Sequence, residues 1–280
     1  ALERLASEAI VFDNADTVAP LTLPAHASLF TALYPPRHGV RDNHLFSLSQ
    51  DVPVFPELLQ RRGYATAAFV SAVVLDRRYG LARGFDVYDA EMDGPERSAS
   101  ETLAHVRAWL ERAPRPFFLW VHFFEPHTPY RSGSYAGEVQ EADGALGELF
   151  GLLRARGVWD EALISVTSDH GESLGEHGEQ THGFFVYEAA IRIPWLLRVP
   201  GRGPQRIEYQ VRLVDVMPTM LELAKIDMRE LPPDRLDGAS LAPFLHGSAR
   251  PGLEAYAETF LPRYQFGWSD LKTFRGERFK

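Results

Sequence analysis

Apolar and polar positions change rhythm repeatedly along this chain, from helical spacing to unbroken apolar runs and back. Leu2, Leu5, Ala6 and Ile10 mark the end of a helix, followed by a short extended piece, Ile10 to Phe12, and a loop through Pro20. An apolar helix is predicted over Ala25 to Leu33, with Pro24 early and Tyr34-Pro35-Pro36 as its stop. Next come a helix over Phe55 to Arg62 ended by Gly63, a strand over Ala65 to Val70, and a helix over Ser98 to Ala113. Ser98 with Glu101 has the spacing of a capping box. Pro116 to Phe124 reads as one continuous hydrophobic strand, and a long helix over Ala136 to Arg156 leads to a strand from Ala162 to Val166. Pro194 to Val199 reads as a strand, Leu213 to Ala224 as a helix despite Pro218, and the tail from Ala255 as two antiparallel strands. Gly201 to Gln205 and Leu231 to Arg235 read as loops. Strands alternating with helices predict an α/β fold whose sheet is largely parallel and covered on both faces.

Composition narrows the function classes. A chain of 280 residues, 45% hydrophobic and 12% aromatic, can bury a sizeable core, which excludes disorder as its main character. A net charge of -9 without long like-charge blocks argues against a nucleic-acid partner held by a general basic surface. There is no cysteine, so disulfides, thiolate nucleophiles and Cys-type zinc sites are excluded, and no compartment is assigned. The longest apolar run, around Ala65 to Leu75, is too short to span a bilayer.

Candidate chemistry is concentrated in Ser165-Val166-Thr167-Ser168-Asp169-His170-Gly171-Glu172, a predicted strand that ends in an adjacent carboxylate and imidazole. Side chains at such a strand end open onto the crevice where α/β proteins bind ligands. Either Asp169 and His170 hold a metal there, or Asp169 makes a local turn and the histidines beyond it lie at the surface. Of ten histidines, eight fall in three segments: His26, His38 and His44; His122 and His127; His170, His177 and His182. Thr22 precedes the helix that begins near Pro24, and two roles fit it: a helix cap, or an alcohol activated at the positive end of the helix dipole.

Thr22-Leu23-Pro24-Ala25-His26-Ala27-Ser28-Leu29-Phe30-Thr31-Ala32 and Tyr34-Pro35-Pro36-Arg37-His38-Gly39-Val40 together resemble the signature of the sulfatase family of the alkaline phosphatase superfamily. Ser168 to Gly171, Glu125-Pro126-His127-Thr128-Pro129-Tyr130, Leu236 to Leu241 and Tyr256-Ala257-Glu258-Thr259 are similar to further family segments in the same order. The resemblance covers nearly the whole chain. It implies a three-layer α/β/α sandwich over residues 1–245 as the catalytic domain, with 246–280 opening a small antiparallel C-terminal subdomain. It also implies a metal held by Asp169, His170 and Thr22, with Thr22 as nucleophile. Asn43 and His26 would bind the substrate, and His127 and His182 would act in catalysis. For Asn43 a turn after Arg41-Asp42 is the competing role, and for His127 the shaping of a rigid loop between prolines. His177 is read as structural.

Three departures from the family pattern matter. Threonine is a secondary alcohol, so Thr22 cannot become the formylglycine aldehyde of ordinary sulfatases. His26 replaces the arginine of the signature and with it a permanent cation. The family's first strand, with its aspartate ligands, is expected upstream of Ala1; the remaining sheet should then stand open beside Ala162 to Ser168, the metal shell should lack ligands, and these residues alone should be unstable and inactive. His170 in the shell favours zinc or manganese over calcium. The expected activity is hydrolysis of a small-molecule, glycan-linked or lipid-linked anionic ester. Phosphate monoesters, phosphate diesters or phosphonate esters are favoured over sulfate. The alternatives are a phosphoethanolamine-type transferase or a catalytically silent binding module.

Overall fold

The computed structural model describes residues 1–228, 236–246, 252–276 and 279; the loop expected over 231–235 lies outside them. Its strands are β1 (Ile10–Asp16), β2 (Ala65–Phe69), β3 (Val87–Asp89), β4 (Phe117–Val121), β5 (Ile164–Thr167), β6 (Arg192–Arg198), β7 (Gln205–Ile207), β8 (Val211–Arg212), β9 (Ala255–Thr259) and β10 (Leu271–Arg275). The chain forms two compact units, one of residues 1–8 and 54–162, the other of residues 9–53 and 163–280.

The first unit holds a three-stranded parallel sheet in the order β3-β2-β4. The Ser98 capping box forms as read, starting the helix Ala99–Leu110, whose Leu103, Val106 and Leu110 are buried. The long helix runs Tyr135–Ala155 and buries Ala145, Leu149, Phe150 and Leu153 on one stripe. The hydrophobic run over residues 116–124 is strand only from Phe117 to Val121, and every one of those five residues is half-buried.

The second unit holds a sheet in the order β5-β6-β1-β7, with β8 also on β1. Its pairings are mixed: β6 runs antiparallel to β1 and β5, whereas β7 and β8 are parallel to β1. β1 is longer than Ile10 to Phe12 and is central to this sheet. Phe12 stacks on Trp195 at 4.1 Å, inside a core that includes Ile10, Leu197, Ile207 and Leu213. A bulge between Phe12 and Ala15 interrupts the alternation that would have revealed the whole strand. β5 has β6 on one side and, among the described residues, no strand on the other; of its residues only Ile164 is fully buried. β9 and β10 pair antiparallel, as read from the tail.

The helix Thr22–Thr31 is buried on nearly all sides, and Ala32 ends it in the left-handed region at φ 53°. That end is clamped from far along the chain. Asp237 and Gly238 both donate to the Ala32 carbonyl at 2.9 Å, and the Asp237 carboxylate accepts from the Tyr34 N–H and the Arg37 guanidinium at 2.8 Å each. A Cβ on Gly238 would stand 1.9 Å from the Val214 carbonyl oxygen, so only glycine allows this approach. Two segments quoted for the family resemblance thus hold one another.

Candidate active site

Thr22 is the first residue of its helix, not the cap; Leu21 takes the cap position and supplies no side-chain bond. The Leu23 N–H, which a capping hydroxyl would have satisfied, instead donates to Asn43 Oδ1 at 2.8 Å. The Thr22 hydroxyl faces His170 Nε2 at 3.3 Å.

His170 and Asp169 stand just beyond β5. Gly171 lets the chain turn there: its N–H donates to the Ala190 carbonyl at 2.9 Å, and a Cβ would lie 2.0 Å from the Ala189 carbonyl oxygen. His170 Nδ1 lies 2.9 Å from the Gly171 carbonyl, which can only accept, so Nδ1 carries the proton and Nε2 presents a lone pair. That nitrogen is 3.4 Å from Asp169 Oδ2. Thr17, a residue the sequence did not single out, donates its hydroxyl to the Asp169 carbonyl and fixes the backbone behind the carboxylate. His182 stacks on His170 with centroids 4.0 Å apart, and its Nδ1 donates to the Pro20 carbonyl at 2.9 Å.

His26 lies one helical turn beyond Thr22, only 4% exposed, and donates through Nδ1 to the Thr22 carbonyl at 2.8 Å. The same nitrogen is 3.6 Å from Asp169 Oδ2. Burial lowers its pKa from the ordinary imidazole value, against the pull of Asp169 and the Thr22 carbonyl. His26 is therefore neutral near pH 7, and the lost arginine charge is not replaced by it. Arg41, two residues before Asn43, is bound in bidentate fashion by Glu258, with bonds of 2.6 and 2.5 Å, and lies over the Phe260 ring at 3.9 Å.

Thr22, His26, Asn43, Asp169, His170 and His182 thus all fall in the second unit, and the contacts above join them. His127 belongs to the first unit, beyond the end of β4, where its ring packs against Phe124 at 4.3 Å and Nδ1 donates to the Thr128 carbonyl. Glu172 was missed as a candidate: burial raises its pKa, His170 pulls it down and Asp169 pushes it up. Its place in the same short run was the available signal.

The donors suit a borderline divalent ion: a carboxylate, an imidazole with its second nitrogen tied down, and a hydroxyl. Among the described residues, however, no group of three or more His, Asp or Glu side chains forms a metal cage. Asp169, His170 and Thr22 amount to part of a shell.

A sequence model of the family described as Sulfatase matches residues 1–226. The chain belongs to the sulfatase family. Arylsulfatase K of Xenopus laevis is 23% identical over 328 residues, covering 85% of this chain and 60% of its own length. The ulvan-active sulfatase of Formosa agariphila is 24% identical over 305 residues, covering 86% and 59% respectively. The chain thus spans about three-fifths of the length of these relatives. Among solved structures, the phosphonate monoester hydrolase of Silicibacter pomeroyi superposes with a TM-score of 0.77 at 21% identity, over 99% of this chain and 80% of the other. That likeness is one of fold, and it agrees with the α/β architecture of the described residues. No described helix is long and apolar enough to cross a membrane.

Proposed function

We propose that the whole protein hydrolyses anionic esters, with phosphate monoesters, phosphate diesters and phosphonate esters favoured over sulfate esters, and that Thr22 supplies the attacking oxygen. The observation that carries this reading is the Thr22 hydroxyl at the first position of its helix, lying 3.3 Å from a His170 nitrogen whose tautomer is fixed. Thr22 has no primary alcohol to oxidise, so the route runs through a threonine ester and not through an aldehyde hydrate.

Asp169 and His170, with Thr22, would hold a divalent cation, which when bound favours the ionised hydroxyl and offsets charge on the non-bridging oxygens. Zinc or manganese fits these donors better than calcium. The hydroxyl of Thr22 gives its proton to solvent, its oxygen bonds to phosphorus or sulfur, and the ester oxygen opposite departs. His182, with Nδ1–H held on the Pro20 carbonyl, gives the leaving oxygen a proton from Nε2 when its ring is the imidazolium, a role we also assign to His127. Water then breaks the Thr22 ester bond and restores the hydroxyl. His26 and Asn43 hold the first turn of the helix, and we assign substrate contact to them as well. The remaining metal ligands, on this reading, come from outside the described residues.

The His170 lone pair has a second use: in a metal-free site it would take the Thr22 proton as a base. The two uses exclude one another. The test is turnover of aryl phosphate, bis-aryl phosphate, aryl phosphonate and aryl sulfate by the full-length protein, before and after chelation. Loss on chelation with recovery on zinc or manganese is expected; undiminished activity transfers His170 to the base role, and inactivity on all four esters under added metal removes the hydrolase reading.

A further inference from the structure

The loop that follows Gly171 buries a carboxylate that no step above uses. Glu179 is 4% exposed, and its Oε1 accepts from the Phe184 N–H at 2.7 Å and from the Phe185 N–H at 3.4 Å. Successive N–H groups converging on one oxygen make a small anion-binding nest. Burial raises the Glu179 pKa, against the pull of those two N–H groups and the Ser173 hydroxyl. A carboxylate taken out of water in this way adds little net stability, because desolvation offsets what its bonds return. What it does supply is a fixed course for the backbone at residues 184 and 185.

That course matters because only Gly183 separates this anchor from His182. Gly183 stands at φ 106°, and a Cβ there would meet Leu261 at 2.9 Å and Leu21 at 3.4 Å. Glycine fits the space but brings no stiffness of its own. The chain is instead pinned on both sides of the imidazole. Before it, the Ser173 N–H donates to the Thr181 carbonyl at 2.8 Å; after it, the Thr259 hydroxyl donates to the Gly183 carbonyl and Glu179 takes the next two N–H groups. Glu179 is itself fixed, since its N–H donates to the Glu176 carbonyl at 3.1 Å and its carbonyl accepts from the Gly175 N–H at 2.9 Å. The held backbone sets where the His182 ring stands, stacked on His170 with Nδ1 on the Pro20 carbonyl.

We propose that Glu179 is a positioning residue for His182: by anchoring the chain beyond Gly183 it keeps His182 Nε2 aimed at the leaving oxygen, an inference that rests on the ester-hydrolase reading. A proton donor must stand within hydrogen-bond reach of the atom it protonates, and a drift of about 1 Å costs about a hundredfold in rate. The nest needs an acceptor oxygen at residue 179 and not a charge. Glutamine supplies that oxygen at the same reach. Methionine has a similar length and no such acceptor, and aspartate falls one methylene short.

The test measures kcat and KM of the full-length protein, with zinc or manganese added, on para-nitrophenyl and phenyl esters of phosphate, methylphosphonate and sulfate. Nitrophenolate leaves without help whereas phenolate needs the proton, so loss of a proton donor opens a gap between the two leaving groups that general loosening of the fold does not. Glu179→Met should lower kcat on the phenyl ester by about tenfold to a hundredfold and on the nitrophenyl ester by less than about threefold, with KM little changed. Glu179→Gln should close most of that gap. In a His182→Ala background, which opens the gap by itself, Glu179→Met should add less than about twofold. If Glu179→Met does not fold, Glu179→Asp takes its place with the same expectation. Unchanged kcat or equal losses on both leaving groups, or losses that simply add to those of His182→Ala, overturn the proposal and leave the hydrolase reading standing. A His182→Ala variant with no gap removes His182 as the acid and the proposal with it, while Thr22 keeps its role. Inactivity of the wild type on every ester removes the hydrolase reading itself.

Discussion

Gly171→Ala tests the link between the turn after β5 and the site it positions. The added Cβ would stand 2.0 Å from the Ala189 carbonyl oxygen, 3.0 Å from the Ala189 carbonyl carbon and 3.2 Å from the Ala190 Cα. These are backbone atoms, so no side-chain rotation relieves the overlap. Restoring ordinary contact needs a separation of roughly 3.5 Å, which forces a backbone shift of more than 1 Å between the two segments. That shift also breaks the 2.9 Å bond from the Gly171 N–H to the Ala190 carbonyl. Overpacking costs about 1–3 kcal/mol and the lost bond about 1 kcal/mol, so a loss of about 2–4 kcal/mol is expected. Asp169 and His170 sit immediately before the displaced residue, and a misplacement of about 1 Å lowers turnover about a hundredfold. Urea unfolding and kcat/KM of the full-length variant measure both effects. A midpoint within 0.5 kcal/mol of wild type together with activity within about twofold would refute the steric argument.

Gly151→Ala is the opposite case: it lies in the helix Tyr135–Ala155 with nothing within 4 Å of the added methyl, and should stabilise by about 0.5–1 kcal/mol in the same urea assay. His38 is buried, donates to Ser28 at 2.9 Å, accepts from the Val40 N–H at 3.1 Å, and has its pKa pushed down to about 3 from 6.5, chiefly by burial and then by Arg41. The unfolded chain therefore binds that proton first, so this stability is complete above pH 6.5 and is lost at up to about 1.4 kcal/mol per pH unit as pH falls towards 3. His38→Gln should flatten that slope in urea titrations at pH 4, 5 and 7; parallel slopes would contradict it. Thr22→Ala and Asp169→Ala should each abolish nearly all turnover, but metal analysis should find depletion mainly in Asp169→Ala, since its carboxylate supplies charge and Thr22 the attacking oxygen. Equal metal content in the two variants would count against that division of roles.

What could be read from the sequence was local. The Ser98 capping box, the stop at Gly63 and the helix over residues 135–155 depend on residues within a turn of each other, and each formed where the pattern put it. Direction and partnership were not local. Nothing near Pro194 declares that β6 runs against both neighbours, because the excursion from Ser168 to Ile191 decides it. The apolar pattern predicts only Ile10 to Phe12 as extended, yet the strand continues to Asp16. The Asp16 carboxylate, 1% exposed, is held by Arg275 at 2.9 and 3.2 Å, across 259 residues of sequence. The site divides the same way. Asp169, His170 and Thr22 carry chemistry that their own neighbourhoods announce. Their arrangement rests on Asn43 satisfying the Leu23 N–H, on Thr17 holding the Asp169 carbonyl and on Gly183 wedged between Leu21 and Leu261. Each of those contacts joins segments distant in sequence through backbone groups, and a backbone amide or carbonyl looks alike at every position. Chemistry is therefore legible residue by residue, whereas preorganisation becomes visible only once the chain has folded.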